Sequence, residues 1–410
     1  MNARQAALKL LSDVLRKRRP LEHAVGLDPR DAGFAFALAS ETLRRFGQLD
    51  ALLRAFTAKL PPPHKAGPAV EIMLMGACEL LFLDTAPHAA VDGANRLAQA
   101  DGKAVHFKPL INAVLRRVSR EGAEAIAAQD AARLNTPDWL WTRWCAAYGE
   151  ARARAIALAH LHQAPLDLVW KTPPAEPLFG NVQRMEPERV ETLAGFAEGE
   201  FWVQDAAATL PAHLLGDVRG ERVIDLCAAP GGKTAQLAAR GALVTAVERE
   251  PARMTRLKEN LARLKLDATL IESDMRDADV EPAPFVLLDA PCTATGTIRR
   301  HPELPWIKSA SDVTLVAATS AELLDRAAEL TAPGGLLVFA VCSLEPEEGP
   351  EQVAQFLEAN SEFTREHIES SDVFGHTEFI DASGDLRTLP CHLQEQGGMD
   401  GFYAAKLRRI

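Results

Sequence analysis

The sequence predicts an all-α N-terminal domain followed by an α/β domain with a Rossmann-like, doubly wound, mostly parallel sheet. Three observations predict it. Apolar residues recur at helical spacing from the start of the chain to about residue 130. From Arg222 onward, short apolar runs alternate with helical stretches, the pattern of a parallel sheet covered on both faces. The first of those runs leads straight into a small-residue loop and a helix start, in the stretch RVIDLCAAPGGKT from Arg222 to Thr234.

The helical stripes come first. Leu8, Leu11 and Leu15 share one face, and Leu49, Leu52, Leu53 and Phe56 another. Val70, Met73, Leu74, Ala77 and Leu81 make a third stripe, and Ile111, Val114, Leu115 and Val118 a fourth. Pro61 to Pro63 and Pro87 punctuate them. Residues 1–130 are therefore expected to form one helical domain. Residues 131–200 read as a helical linker and a small reduced subdomain. Thr136-Pro137-Asp138 opens a helix whose Trp139, Trp141, Trp144 and Tyr148 are expected in a core, and the stretch from Gln163 to Glu188 is proline-rich. Residues 201–410 are the α/β domain. Strands are expected at 222–226, 243–247, 268–271, 285–288 and 336–341, and helices at 233–239, 251–264, 311–330 and 347–359. An antiparallel hairpin is expected within 376–410.

The candidate site lies beyond the strand ends. Gly231 and Gly232 remove Cβ bulk, and the helix that follows offers unpaired N–H groups. Glu248 ends the next run and can accept hydrogen bonds from two ribose hydroxyls, which suits a nucleotide-like cofactor. Two later stretches, FVLLDAPCTATGTIRRHP from Phe285 and LLVFAVCSLE from Leu336, each end an apolar run in a cysteine. Because ligands in doubly wound sheets sit beyond the carboxyl ends of the strands, Asp225, Glu248, Asp289, Cys292 and Cys342 are expected in one crevice.

AAPGGK, then DAPC followed by TGTIRRHP, then CS before an acidic run, resemble the motifs of RNA cytosine-C5 methyltransferases that use S-adenosylmethionine. The N-terminal part is similar to a NusB-type RNA-binding domain, and the closing GMDGFYAAKL is similar to the family's last strands. The resemblance implies a class I methyltransferase domain acting on RNA, in the bacterial branch on 16S rRNA. It implies Cys342 as the nucleophile on cytosine C6, Cys292 as an aid to product release, and Asp289 on the N3/N4 edge of the base and bordering the cofactor. Cys227, Ala228, Ala229, Pro230, Gly231, Gly232 and Lys233 would surround the methionine part of the cofactor, with Glu248 on the ribose and Asp274 on the adenine side. Arg299, Arg300 and His301, beside the DAPC loop, would meet phosphates. Spacing alone leaves Cys292 open as the nucleophile, since DNA cytosine methyltransferases use the cysteine of a proline-cysteine pair.

The net charge of −11 is unevenly spread. Residues 1–120 carry 18 Lys and Arg against 11 Asp and Glu, and residues 301–410 carry 7 against 19. A basic front end is compatible with RNA, because phosphate affinity depends on local patches. Arg16 to Arg19 and Arg116, Arg117 and Arg120 either solvate helix faces or dock RNA. The 6 cysteines show no CxxC spacing, so neither a metal site nor a disulfide framework is expected, and a cytoplasmic location is. No apolar run is long enough for a membrane helix. A monomer is expected. Two other classes compete: an RNA-binding ribosome-assembly factor with a non-catalytic methyltransferase fold, and a methyltransferase for small molecules or proteins.

Overall fold

Asn2 starts the first helix by accepting from the Gln5 backbone N–H, while the Gln5 side chain accepts from Asn2 N in return. Helix α1 (Ala3–Lys17) is followed by α2 (Pro29–Arg44), which Asp28 caps with proline in its first turn. Then come α3 (Phe46–Phe56), α4 (Pro63–Ala66), α5 (Ala69–Leu81), α6 (Pro87–Gln99) and α7 (Lys108–Ala127). The unit is completed by α8 (Ala131–Leu134), α9 (Asp138–Tyr148) and α10 (Glu150–Ala159). The computed structural model describes all 410 residues, and they divide into one unit of residues 1–162 with 298–309 and another of residues 163–297 with 310–410.

Helix α5 is the centre of the first unit: every residue from Ile72 to Cys78 is buried. It also buries two carboxylates, Glu71 and Glu79. Helix α1 answers both, with Arg16 on Glu71 and Arg4 Nε donating to Glu79 Oε1 at 3.0 Å. Arg16, though exposed like Arg18 and Arg19, is thereby drawn out of the basic cluster at the end of α1 to pair with a buried carboxylate. The helical unit runs to His162 rather than to about 130. Leu140 and Trp144 of α9 and Ile156 of α10 are fully buried, so these helices carry core surface and do not act as a linker.

The second unit opens with a three-stranded antiparallel sheet, β1 (Leu166–Trp170), β2 (Val182–Met185) and β3 (Phe201–Val203), in the order β2-β1-β3. Buried Asp167 ties it down: it receives Arg184 Nε at 2.7 Å and the backbone N of Ala206, the first residue of α11 (Ala206–His213), at 2.9 Å. Then β4 (Arg222–Leu226), α12 (Gly232–Ala239), β5 (Leu243–Glu248), α13 (Pro251–Leu264), β6 (Thr269–Glu272) and β7 (Ala283–Asp289) alternate as the sequence predicts.

Residues 298–309, with the single turn α14 (Leu304–Ile307), belong to the helical unit. The Arg44 guanidinium donates to the Arg299 carbonyl at 3.0 and 3.1 Å and to the His160 carbonyl at 2.9 Å. Trp306 Nε1 donates to the Leu43 carbonyl at 3.0 Å, and its ring lies 4.7 Å from that of Phe46.

The chain then adds α15 (Ala310–Glu329), β8 (Thr331–Val341), α16 (Pro350–Ala359), β9 (Phe363–Glu366), β10 (Leu386–Arg387) and β11 (Tyr403–Arg409). The main sheet runs β10-β11-β8-β7-β4-β5-β6. Strands β6, β5, β4, β7 and β8 are parallel, while β11 lies antiparallel to β8, to β9 and to β10. The expected closing hairpin is the β10–β11 pair. The order reverses direction at β4, which makes the carboxyl ends of β4 and β7 the place for a ligand.

Candidate active site

Glu248 is the last residue of β5, Asp289 the last of β7, and Cys342 the first after β8. A cavity of about 410 Å³ opens there, and Cys227, Glu248, Asp274, Asp289, Cys292 and Cys342 all line it. Helix α15 supplies an apolar wall through Leu315, Val316 and Leu323. Sequence reasoning missed that wall because its stretch reads only as a covering helix.

Ala228, Ala229, Pro230, Gly231 and Gly232 do not line the cavity, and Lys233 reaches it only through Asp289. Gly231 is required for reasons other than a ligand. Its φ is +103°, and a Cβ there would lie 2.3 Å from Leu257 Cδ1 of α13. A Cβ on Gly232 would lie 3.1 Å from the Gln204 side chain. The glycines therefore seat the loop against its neighbours. The Ala229–Pro230 peptide bond is cis.

Charge is tightly placed. Asp225 is fully buried, receives the Thr234 hydroxyl at 2.6 Å, and burial pushes its carboxyl up to about 7. It anchors the start of α12 and does not line the cavity. Glu248 is 2% exposed and accepts from Glu250 N at 3.0 Å and Ala229 N at 3.3 Å, with Arg253 at 3.6 Å. Asp274 takes a two-pronged pair from Arg276, at 3.0 and 2.7 Å, which holds its carboxyl down to about 2. Lys233 Nζ donates to Asp289 at 2.7 Å. Burial lowers the proton affinity of that ammonium, but the Asp289 charge and hydrogen bond outweigh it and keep the lysine charged. Burial pushes the Cys227 thiol up to about 12, so this sulfur is an apolar wall and not a nucleophile.

The two remaining sulfurs form a pair, Cys292 Sγ to Cys342 Sγ at 3.4 Å. The hydrogen bond to Cys342, with burial, holds the Cys292 thiol well above its ordinary value. A thiol so held keeps its proton, and the Cys342 sulfur lies within its reach. Below them lies a fully buried polar set the sequence reading passed over: Thr293, Thr295, Ser343, Glu345 and Glu348. Its signal was present, because Glu345, Glu347 and Glu348 follow the second cysteine closely. An acidic run reads as solvated surface unless something shows that it faces inward.

Of the three cations expected at phosphates, Arg299 is 2% exposed and its carbonyl is held by Arg44. A side chain so enclosed cannot meet a phosphate, and Arg299 leaves that set. Arg300 is half-buried and His301 exposed. No group of three or more His, Cys, Asp or Glu side chains is arranged as metal ligands, and no helix is long and apolar enough to cross a membrane.

Residues 212–408 match the model of the 16S rRNA methyltransferase RsmB/F family, and residues 1–120 that of the NusB family. The chain is 36% identical to the ribosomal RNA small subunit methyltransferase B of Pseudomonas putida, over 100% of this chain and 99% of that one. It is 34% identical to the protein of the same name in Vibrio cholerae, over 100% and 98%. Among solved structures, that of PH0851 shares the fold over 98% of both chains at a TM-score of 0.76 and 21% identity. A methyltransferase homologue from Pyrococcus horikoshii, 25% identical, shares it over 66% of this chain and 94% of its own at a TM-score of 0.53. With both domains matched in order and full-length relatives above 30% identity, the chain belongs to the family of the ribosomal RNA small subunit methyltransferases B.

Proposed function

We propose that this protein transfers a methyl group from S-adenosylmethionine to C5 of a cytosine in 16S ribosomal RNA, through a transient bond between Cys342 and C6. The observation that carries this reading is the pair of sulfurs 3.4 Å apart on the wall of one cavity with Asp289. A cytoplasmic enzyme needing no metal fits the same reading.

The residues present fit the cofactor. Glu248 places a buried carboxylate where ribose hydroxyls can donate to it, and Met275 and Leu323 offer apolar surface to a ring. Asp274 would serve the adenine side while shared with Arg276. When bound, S-adenosylmethionine supplies an electrophilic methyl group. The rest falls to the chain's own side chains. Asp289, paired with the Lys233 ammonium, accepts from the N4 amine and so holds the base edge. Cys342 as thiolate forms a bond to C6, and the C5=C6 electron pair moves to C5, which becomes nucleophilic enough to take the methyl group. C5 then loses its proton to a base, the double bond re-forms, and Cys342 leaves. A proton held on Cys292 and directed at the Cys342 sulfur stabilises the departing thiolate.

Glu248→Ala is expected to weaken S-adenosylmethionine binding by about 1–3 kcal/mol, the cost of leaving polar ligand groups without partners. Calorimetry giving unchanged affinity would remove Glu248 from the site. The whole reading is tested by tritiated-methyl transfer to total RNA from a strain lacking the gene, followed by nucleoside analysis. Label in 5-methylcytidine from the small-subunit RNA is expected; label in another nucleoside, or none, overturns it.

A further inference from the structure

Cys292 and Cys342 sit on separate loops, one after β7 and one after β8, yet their sulfurs are held within 3.4 Å. Two separate loops keep such a distance only where something links them. The residue following each cysteine answers to the same side chain. Thr293 donates its backbone N–H to Glu348 Oε1 at 2.8 Å and its hydroxyl to Oε2 at 2.7 Å, and the Ser343 hydroxyl donates to Oε2 as well. Glu348 itself is fully buried. We propose that Glu348 is the positioning residue of the reaction, a single carboxylate that clamps both cysteine loops and so sets the distance between the two sulfurs. The proposal rests on the two-thiol chemistry given above and goes beyond it, since Glu348 does not line the cavity.

The surroundings support a clamp over a mere cap. Burial pushes the Glu348 carboxyl above its ordinary range, and the three donated hydrogen bonds work against that push. Thr295 takes Leu344 N at 3.0 Å and bonds to Ser343 and Glu345, each at 3.2 Å. Gly296 N donates to the Cys342 carbonyl at 3.0 Å, a bond that joins the loops on their backbone side. Glu348 joins them on the side-chain side. A satisfied network of this kind defines one geometry, and a half-satisfied one defines none.

Glu348→Gln keeps the size of the side chain but replaces one acceptor oxygen by a donor: at Oε1 it would oppose the Thr293 N–H, and at Oε2 it would force the Thr293 and Ser343 hydroxyls to turn from donors into acceptors. Turnover should fall about a hundredfold, the cost of a misplaced reacting group, while the Kd for S-adenosylmethionine changes by less than about twofold. A second readout reports the sulfur distance itself. Diamide takes one hydrogen from each of two adjacent thiols and leaves a disulfide, so the rate at which Cys292 and Cys342 close, followed by peptide mapping, reads their proximity. Closure should slow markedly in Glu348→Gln. Thr293→Val and Ser343→Ala, which each delete one hydroxyl from the clamp, should show the same two effects more weakly, and they decide the matter if Glu348→Gln does not fold. Full turnover in all folded variants, or lost turnover with closure at the native rate, overturns the proposal. Closure needs no RNA and no cofactor. If the cysteine chemistry itself is wrong, methylation will survive the loss of both thiols, while the dependence of closure on Glu348 stands or falls separately.

Discussion

Replacing Cys342 by alanine is expected to abolish methyl transfer and to leave no bond between protein and RNA, whereas Cys292→Ala is expected to form that bond and keep it. The reason is the division of labour proposed above for two sulfurs 3.4 Å apart. Without Cys342 nothing adds to C6, and losing a nucleophile outright costs on the order of 10⁴-fold or more in rate. Without Cys292, the attack and the methyl transfer remain, but the departing sulfur loses the proton that Cys292 directs at it. The protein then stalls with RNA attached. A denaturing gel with labelled RNA separates the cases: a retarded band for Cys292→Ala and none for Cys342→Ala. The opposite pattern would make Cys292 the nucleophile, as in the proline-cysteine arrangement. Intact methylation with no band for either would mean that neither thiol carries the reaction.

The second large effect concerns the helical unit. A truncation that removes residues 1–162 is expected to yield insoluble protein, because residues 298–309 cluster with the part removed. Their buried Ile298, Pro302, Leu304 and Pro305, and the Trp306 ring, would face water. At about 1.5–3 kcal/mol for each large apolar side chain, the cost is comparable to the whole stability of a domain. A version that also replaces residues 298–309 by a short glycine-serine linker should be soluble and bind S-adenosylmethionine. Its RNA affinity should fall, with a salt slope smaller by about 0.7–0.9 for each phosphate that the protein no longer neutralises. Solubility of the simple truncation would show that the segment is dispensable. Unchanged RNA affinity and slope in the linker version would make the helical unit a scaffold only.

What was legible in the sequence had periodicity or spacing behind it. The stripe on α5 announced itself through apolar residues at helical intervals, strands β4, β5 and β7 through short apolar runs, and the two cysteine loops through their place at the ends of such runs, and the five parallel strands appear where those runs lie. The small sheet escaped because β1 is buried along three successive residues and β2 is polar, so neither alternates. Residues 298–309 escaped because a connection between strand and helix is ordinarily a surface loop. Arg299 looked like a phosphate ligand by its charge, and only its burial contradicts that. Glu348 failed in the same way. For charged residues, composition reports chemistry but not which way the side chain faces, and the facing is decided by partners far away in sequence, such as Thr293.

The two carboxylates buried on α5 have a consequence for how the first helix finds its place. Glu71 and Glu79 are met by Arg16 and Arg4 respectively, so the helices run in opposite senses and the pairs act as two pegs in two holes. Sliding α1 along its neighbour by one turn, about 5.4 Å, would keep much of the apolar packing, since stripes of leucine and alanine tolerate translation. It would also strand both carboxylates in the interior without a cation, at roughly 3–5 kcal/mol each. Reversing α1 end for end would exchange the pegs and misalign them with the rest of its stripe. The apolar face gives α1 its adhesion, and the two ion pairs give it an address.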